Sequence, residues 1–119
     1  MKKIATNNAP AAIGPYSQAI FANGFLFSSG QIAINPQTGE LVDGGITAQT
    51  KQVFANLGEV LKAAEMDFED VVKTTVFLAD MNDFGQMNAI YGEFFTQNLP
   101  ARSAVAVKAL PKGALIEIE

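Results

Sequence analysis

The residues whose side chains are best suited to binding or catalysis are one arginine and two glutamates near the C-terminus. Arg102 lies in the stretch NLPARSAV, residues 98–105, and it is the only arginine, since the other fixed cations are seven lysines. A guanidinium beside an apolar run is costly unless an anion pairs with it. Two partners are open: Glu117 or Glu119, on what we expect to be the adjacent terminal strand, or the carboxylate of a bound substrate, which a guanidinium holds bidentately.

The final stretch LIEIE raises a related question about its carboxylates. In a strand, Ile116 and Ile118 share one face, and Leu115, Glu117 and Glu119 share the other. That second face is either solvated, or it presents a carboxylate to a cleft, where it can orient water or transfer a proton.

A hairpin symmetric about Pro111 would place Ser103 opposite Glu119 and turn Arg102 to the other face of the sheet. A slip or bulge of one residue would reverse this arrangement. The sequence leaves both registers open.

Two upstream segments could complete a site. In IGPYSQA, residues 13–19, Tyr16 either packs with its hydroxyl satisfied or covers the mouth of a pocket and donates a hydrogen bond. In SSGQI, residues 28–32, Gly30 either forms a bulge or turn or lets a ligand approach the bare backbone. The spacings GxGxxG and GxxxxGK[ST] are both absent, so neither segment is a phosphate loop.

Composition narrows the chemistry further. The 119 residues include no cysteine and no histidine, which excludes disulfides, thiol chemistry, the usual zinc sites and histidine-based triads. General acid–base catalysis in this chain must therefore use carboxylates, tyrosine, lysine, or the backbone with water. A formal charge of −4 without a lysine cluster gives little support to nucleic-acid binding.

Length and termini predict a simple organisation. The chain is expected to form one domain over residues 1–119. Its start, MKKIATNNAP, lacks the apolar stretch of a signal peptide, and no run approaches the ~20 apolar residues of a membrane span. We therefore expect a soluble cytoplasmic protein.

Apolar periodicity predicts the elements that would position these groups. In order, they are strands at 17–22 and 25–29, a helix at 46–64, a strand at 71–80, a helix at 82–95, and strands at 101–110 and 114–119. Asn23-Gly24 is typical of a two-residue hairpin turn. The β-branched, apolar strand at 71–80 is expected to be central.

The order β-β-α-β-α-β-β predicts an α+β domain of two layers, with both helices on one face of a mixed sheet. The opposite face would carry Phe25, Phe27, Val76 and Leu78, which leave little polar surface for solvation. Only 17% of the residues are charged, against 49% hydrophobic, so we expect other subunits to cover an apolar surface.

Eight segments carry a resemblance to a known family: APAAIGPYSQA, FSSGQI, NPQTGE, VVKTTVFLADMNDF, IYGEFF, PARSAV, LPKG and IEIE. Over nearly its whole length the chain resembles the Rid family, the YjgF-like reactive intermediate deaminases, which are also labelled L-PSP endoribonuclease-like. GPYSQA, SSGQI and PARS are the most specific parts of this resemblance.

The resemblance implies a chorismate-mutase-like fold and a barrel-like homotrimer with three clefts between subunits. RidA-type members hydrolyse 2-enamine and 2-imine acids, such as 2-aminoacrylate, 2-iminopropanoate and 2-iminobutanoate, to 2-keto acids and ammonia, without metal or cofactor. PLP-dependent dehydratases acting on serine or threonine release these intermediates. The alternatives are a non-catalytic trimer that binds small acids as a regulator or chaperone, and an endoribonuclease or translation inhibitor.

The resemblance also implies roles for individual residues. Arg102 matches the carboxylate-binding arginine of PARS, and Tyr16 matches the cleft tyrosine of GPY. Ser29 and Gly30 match residues that contact the ligand beside the strand. Glu117, the first glutamate of IEIE, matches the acid that orients the attacking water.

One departure concerns Ala104, which stands where the family usually has cysteine. If that position contributes only its backbone carbonyl to substrate binding, alanine serves as well; if the thiol takes part, activity is reduced. Relatives also usually continue beyond the position of Glu119, so two alternatives are open: the last strand is short, or the given sequence is truncated.

Overall fold

The computed structural model describes residues 1–119 and contains six strands and two α-helices. These are β1 (Lys2–Ile4), β2 (Ala19–Ala22), β3 (Phe25–Ser28), α1 (Gly45–Ala63), β4 (Lys73–Leu78), α2 (Phe84–Phe94), β5 (Ala101–Ala106) and β6 (Ile116–Ile118). Every predicted element is present, with ends displaced by at most four residues.

β1 was not predicted, because it is too short to show a pattern. It has three residues, of which only Ile4 is buried, so no apolar alternation develops. The strand forms by antiparallel pairing with β2, in which Lys3 lies opposite Ile20.

The strands form two three-stranded sheets, β1-β2-β3 and β5-β4-β6. The turn between β2 and β3 confirms the predicted hairpin, since Asn23 and Gly24 have φ of 52° and 82°. A single antiparallel bridge joins the sheets: the N–H of Gln31 donates to the Ile118 carbonyl at 2.9 Å, and the N–H of Ile118 donates back at 3.1 Å. Together the two sheets make the mixed layer that the sequence predicts.

Both helices cover the same face of this layer, which confirms the two-layer α+β fold. Val53 and Phe54 of α1, Met87 of α2, and Ile116 and Ile118 of β6 are completely buried in one shared core. At its other end α1 packs on the first sheet through Val60. Neither helix has the length and apolar character needed to cross a membrane.

The expectation that the last two strands are adjacent is wrong. β4 lies between them, parallel to β5 and antiparallel to β6, so Ser103 pairs with Thr75 rather than with Glu119. A parallel pair needs a crossover connection, which α2 supplies between β4 and β5. The central place predicted for β4 is confirmed, since Val76 and Leu78 are fully buried.

The predicted outer face, the sheet surface opposite the helices, is correct in part. Phe25 and Phe27 do point outward and are 59% and 62% exposed. Val76 and Leu78 face the helices instead, because the strand alternation places Phe77 on the outer side of β4, opposite Val105. The outer face nevertheless remains apolar, as expected.

One buried amide anchors the segment that leads to the candidate site. The side chain of Gln18 accepts from the Thr6 N–H at 2.7 Å and donates to the carbonyls of Thr6, Ala9 and Pro10 at 3.0, 3.3 and 2.7 Å. Since Gln18 is 4% exposed, these bonds are shielded from water. They hold residues 6–10 against Gln18, which lies two residues after Tyr16 and directly before β2.

Candidate functional site

A cleft of about 530 Å³ brings together four of the six candidate residues. Tyr16 comes from the segment before β2, Ser29 and Gly30 come from the end of β3, and Glu117 comes from β6. The bridge between Gln31 and Ile118 makes this possible, because it holds the end of β3 against β6. Four residues from three separate segments of the sequence therefore share one surface.

Gly30 and Glu117 are packed so closely that no side chain fits between them. A Cβ on Gly30 would lie 2.8 Å from Cδ and 2.9 Å from Cγ of Glu117, and would also collide with its Oε1. The φ of Gly30 is not in the left-handed region, so the glycine is required here by the space and not by the backbone. The bare backbone of Gly30 thus accommodates the Glu117 carboxylate.

The strand end beside Gly30 is held by two bonds. The Ser29 hydroxyl donates to the Ser17 carbonyl at 2.6 Å, and the Ser29 N–H donates to the Gln18 carbonyl at 2.9 Å. Ser29 is therefore tied to the chain directly after Tyr16. Tyr16 itself is 54% exposed, which agrees with a ring at the cleft mouth rather than one packed in the core.

Glu117 is the carboxylate of this cleft. Partial burial raises its pKa above the usual carboxyl range, and the negative charge of Glu119 raises it further. Its neighbours Ile116 and Ile118 are fully buried, so Glu117 points to the opposite, outer side of β6, as the alternation predicted. A carboxylate with a raised pKa is better suited to accept a proton from water.

The cleft holds one cation, Lys112, on the turn Pro111–Gly113. Lys112 adopts a left-handed backbone with φ of 58°. Sequence reasoning did not single it out, although it lies in the segment LPKG that contributes to the family resemblance. No group of three or more carboxylates is close enough anywhere in the structure to share a metal ion.

Arg102 lies outside this cleft, on the helix side of the sheet. It pairs in register with the buried Thr74 of β4, and its Nη1 donates to Oδ1 of Asn88 at 2.7 Å. Its guanidinium carbon is 4.6 Å from the ring centroid of Tyr91 and 5.3 Å from that of Phe84. Of the two partners that the sequence left open, a glutamate of the same chain does not pair with Arg102, since β4 separates β5 from β6.

Ala104 follows Arg102 on the same side of β5 and packs against the main core. The N–H groups of Ala101 and Val107 donate to the carbonyls of Val72, directly before β4, and Leu78, at its end. The alternation therefore turns the backbone groups of Arg102 and Ala104 toward the open edge of the sheet. The Ala104 carbonyl is thus placed to accept a hydrogen bond from outside the chain.

The candidate residues therefore form two half-sites, defined by the side of the sheet on which they lie. The carboxylate half-site contains Tyr16, Ser29, Gly30 and Glu117, and the cation half-site contains Arg102 and Ala104. The first can activate water and the second can bind an anion. Sequence reasoning missed Asn88 in the second, because the apolar stripe of its helix identifies the core and not a polar residue at the edge.

The chain is similar to known proteins over nearly its whole length. Residues 6–119 match the protein family described as endoribonuclease L-PSP. A mouse protein named 2-iminobutanoate/2-iminopropanoate deaminase is 56% identical over 118 residues, covering 99% of this chain and 87% of its own length. A Lactococcus lactis protein whose name describes it as a regulator is also 56% identical, covering 100% of this chain and 94% of its own.

A solved crystal structure is similar to this chain in both fold and sequence. The crystal structure of a Yersinia pestis protein of the conserved Rid family superimposes with a TM-score of 0.97 at 54% identity. The match covers 99% of this chain and 94% of the Yersinia chain, which is described as a protein of unknown function.

The contact between Gly30 and Glu117 makes a first prediction. We expect Gly30→Ala to displace the Glu117 carboxylate while leaving the fold intact, because the added methyl occupies the carboxylate's position. A crystal structure of the variant would show the moved side chain directly. Gly85→Ala is the matched control, since nothing lies within 4 Å of a Cβ added there. An unmoved Glu117 in Gly30→Ala would contradict this account.

The raised pKa of Glu117 makes a second prediction, about stability. The folded state holds the Glu117 proton more tightly than the unfolded state, so the free energy of unfolding should fall as pH rises from about 4.3 through the raised pKa. Glu117→Gln should remove this component, which urea unfolding at several pH values measures. A difference between the two proteins that is independent of pH, or that grows in favour of wild type as pH rises, would show that Glu117 is not desolvated.

Proposed function

We propose that this chain, which belongs to the endoribonuclease L-PSP family, also called the Rid family, hydrolyses reactive 2-imine and 2-enamine acids to 2-keto acids and ammonia. The observation that carries the proposal is the guanidinium of Arg102, which is held by neutral partners and so keeps its charge for an anion. The name of the mouse relative supports a 2-imino acid as the substrate class.

Arg102 binds the substrate carboxylate in this mechanism. A planar guanidinium can donate two parallel N–H bonds to a carboxylate, which fixes both the position and the orientation of a small acid. Only one of its N–H groups is used by Asn88. Holding the imine in one orientation lowers the entropic cost of the reaction with water.

Glu117 and the Ala104 carbonyl hold the water. The imine reacts in its iminium form, protonated on nitrogen: the water oxygen attacks C2, the C=N electron pair moves to the nitrogen, and Glu117 accepts the proton that the water loses, which gives a neutral tetrahedral carbinolamine. Glu117 then gives this proton to the amine nitrogen, and as the C–N bond breaks to release ammonia, the Glu117 carboxylate takes the hydroxyl proton of the carbinolamine, so that the 2-keto carbonyl forms. The proton left on Glu117 passes to the departing ammonia, which leaves as ammonium. An enamine such as 2-aminoacrylate enters the same route after tautomerising to its imine.

The carboxylate half-site supplies the remaining contacts. Ser29 and Gly30 present a strand end against which the small substrate lies, and Tyr16 covers the cleft and donates from its hydroxyl. No step requires a metal or an organic cofactor.

A complete site requires two copies of the chain in this proposal. Arg102 and Ala104 lie on the helix side of the sheet and at its open edge, whereas Glu117 lies on the outer side. The exposed Phe25, Phe27 and Val105 support assembly through the outer face, because monomers rarely leave such apolar patches uncovered. A homotrimer of the kind that the family resemblance implies would contain three such clefts.

The substrate chemistry implies a functional partner. Free 2-imine and 2-enamine acids are short-lived in water, so an enzyme that releases them must operate alongside this one. PLP-dependent serine and threonine dehydratases are such enzymes, and we propose them as the source.

Substitution of the two charged residues tests the mechanism. With 2-iminobutanoate generated in situ by a threonine dehydratase, we expect Arg102→Ala to raise KM by about 10²-fold, because charge-assisted hydrogen bonds to the carboxylate are lost. Glu117→Gln should lower kcat by about 10²–10⁴-fold, since general acid–base help is removed, while 2-oxobutanoate binding persists. Release of the keto acid is followed directly by absorbance.

The same assay separates the rival functions. Binding of 2-keto acids by wild type without any acceleration of imine hydrolysis would favour a regulator, as the name of the Lactococcus relative suggests. RNA cleavage that survives Arg102→Ala and further purification would favour a ribonuclease. Full deaminase activity in Arg102→Ala would contradict the carboxylate clamp.

A further inference from the structure

One helix, α2, provides the hydrogen-bond acceptor and the two aromatic rings at the Arg102 guanidinium. Phe84, Asn88 and Tyr91 lie four and three residues apart on α2, so they share one face of the helix. Asn88 accepts from Nη1 at 2.7 Å, and the rings of Tyr91 and Phe84 lie 4.6 and 5.3 Å from the guanidinium carbon. We call these three residues the cradle.

The cradle is anchored in the core. Tyr91 is 7% exposed, and its hydroxyl lies 2.7 Å from the Thr74 hydroxyl, on the strand residue opposite Arg102. Its ring also packs edge-on against Phe54, with centroids 5.7 Å apart. The surface on which the guanidinium rests is therefore fixed by buried contacts, and Asn88 is presented from the same rigid helix.

All members of the cradle are uncharged. Arginine usually meets a carboxylate when it is partly buried, and such a pair would cancel the charge that an incoming anion needs. An amide oxygen orients one N–H of the guanidinium equally well and leaves its positive charge uncompensated. The aromatic faces attract the cation without neutralising it.

We propose that Asn88 is a positioning residue that orients the Arg102 guanidinium for anion binding while keeping its charge available. The inference rests on the proposed function in one respect, which is that the anion is the carboxylate of a small 2-imino or 2-keto acid. Asn88 acts through Arg102, because a side chain held in its binding orientation loses less freedom when the anion arrives.

This role predicts an unusual order among variants. Asn88→Asp keeps the size and the acceptor oxygen but adds a negative charge that pairs with Arg102, so binding of 2-oxobutanoate should weaken by about 10²-fold, as in Arg102→Ala. Asn88→Ala removes the hydrogen bond that orients the guanidinium but adds no charge, so we expect binding of 2-oxobutanoate to weaken by only about 10-fold. A purely structural hydrogen bond would give the reverse order, since aspartate would preserve it and alanine would not.

The experiment is isothermal titration of the full-length protein with 2-oxobutanoate, combined with kcat and KM for each variant and with thermal unfolding. We expect Asn88→Asp to unfold at or above the temperature of wild type, to raise KM and to leave kcat nearly unchanged. Gln86→Glu is the matched control, because it makes the same amide-to-acid change at an exposed position of α2. It should bind 2-oxobutanoate within twofold of wild type.

The outcomes separate this inference from the proposed function. Binding by Asn88→Asp that equals or exceeds that of Asn88→Ala overturns the role of Asn88, even if wild type is a deaminase. The expected variant order in a protein that does not accelerate imine hydrolysis supports Asn88 and overturns the proposed function. A wild type that neither binds 2-oxobutanoate nor accelerates hydrolysis overturns both.

Discussion

The central strand β4 imposes the constraint on which the rest of the site depends. It pairs on one edge with β5, where Thr74 lies opposite Arg102, and on the other edge with β6, where Phe77 lies opposite Glu117. Successive residues of a strand point to opposite faces, so residues 74 and 77 project to different sides of the sheet. The arginine and the cleft carboxylate of one chain are therefore kept apart by the backbone itself, and no change of rotamer brings them together.

Each of these two charged groups is held without the partner that would stabilise it most. Arg102 rests on an amide and two aromatic rings, and Glu117 is partly desolvated beside Glu119, which raises its pKa. Such arrangements cost stability, and they are typical of sites where a ligand supplies the missing interaction. The proposed substrate supplies it for both groups, because its carboxylate pairs with the guanidinium and its attacking water bonds to the glutamate.

Local sequence patterns predicted the elements and the turn chemistry well. The Asn23-Gly24 turn, the central place of β4 and the outward direction of Glu117 all follow from patterns that span a few residues. The adjacency of β5 and β6 was wrong, because strand alternation records which face a residue occupies and not which strand lies beside it. The prediction that Val76 lies on the outer face was also wrong, because alternation does not show which of the two faces packs against the helices. Phe77 occupies the outer face instead.

The candidate site residues were predicted mainly through the family resemblance, and the structure adds neighbouring residues that the resemblance did not name. Asn88 lies at the polar edge of an otherwise apolar helix stripe, and nothing in its spacing marks it as a neighbour of Arg102, 14 residues later. Lys112 belongs to a turn that sequence patterns describe only as a connection. Both positions depend on contacts between distant segments, which no local pattern encodes.

The central claim is that one catalytic cleft combines Arg102 of one copy with Glu117 of another. The most direct measurement mixes Arg102→Ala and Glu117→Gln proteins, unfolds and refolds them together, and assays deaminase activity, with native mass spectrometry to verify mixed assemblies. In a cyclic assembly each cleft takes Arg102 from one subunit and Glu117 from a different one, and in an equal mixture each is the unmutated residue in half of the cases. About one cleft in four should therefore be intact, and activity should return to roughly a quarter of the wild-type value. A mixture that stays as inactive as its two parents, although mixed assemblies are present, would contradict the claim.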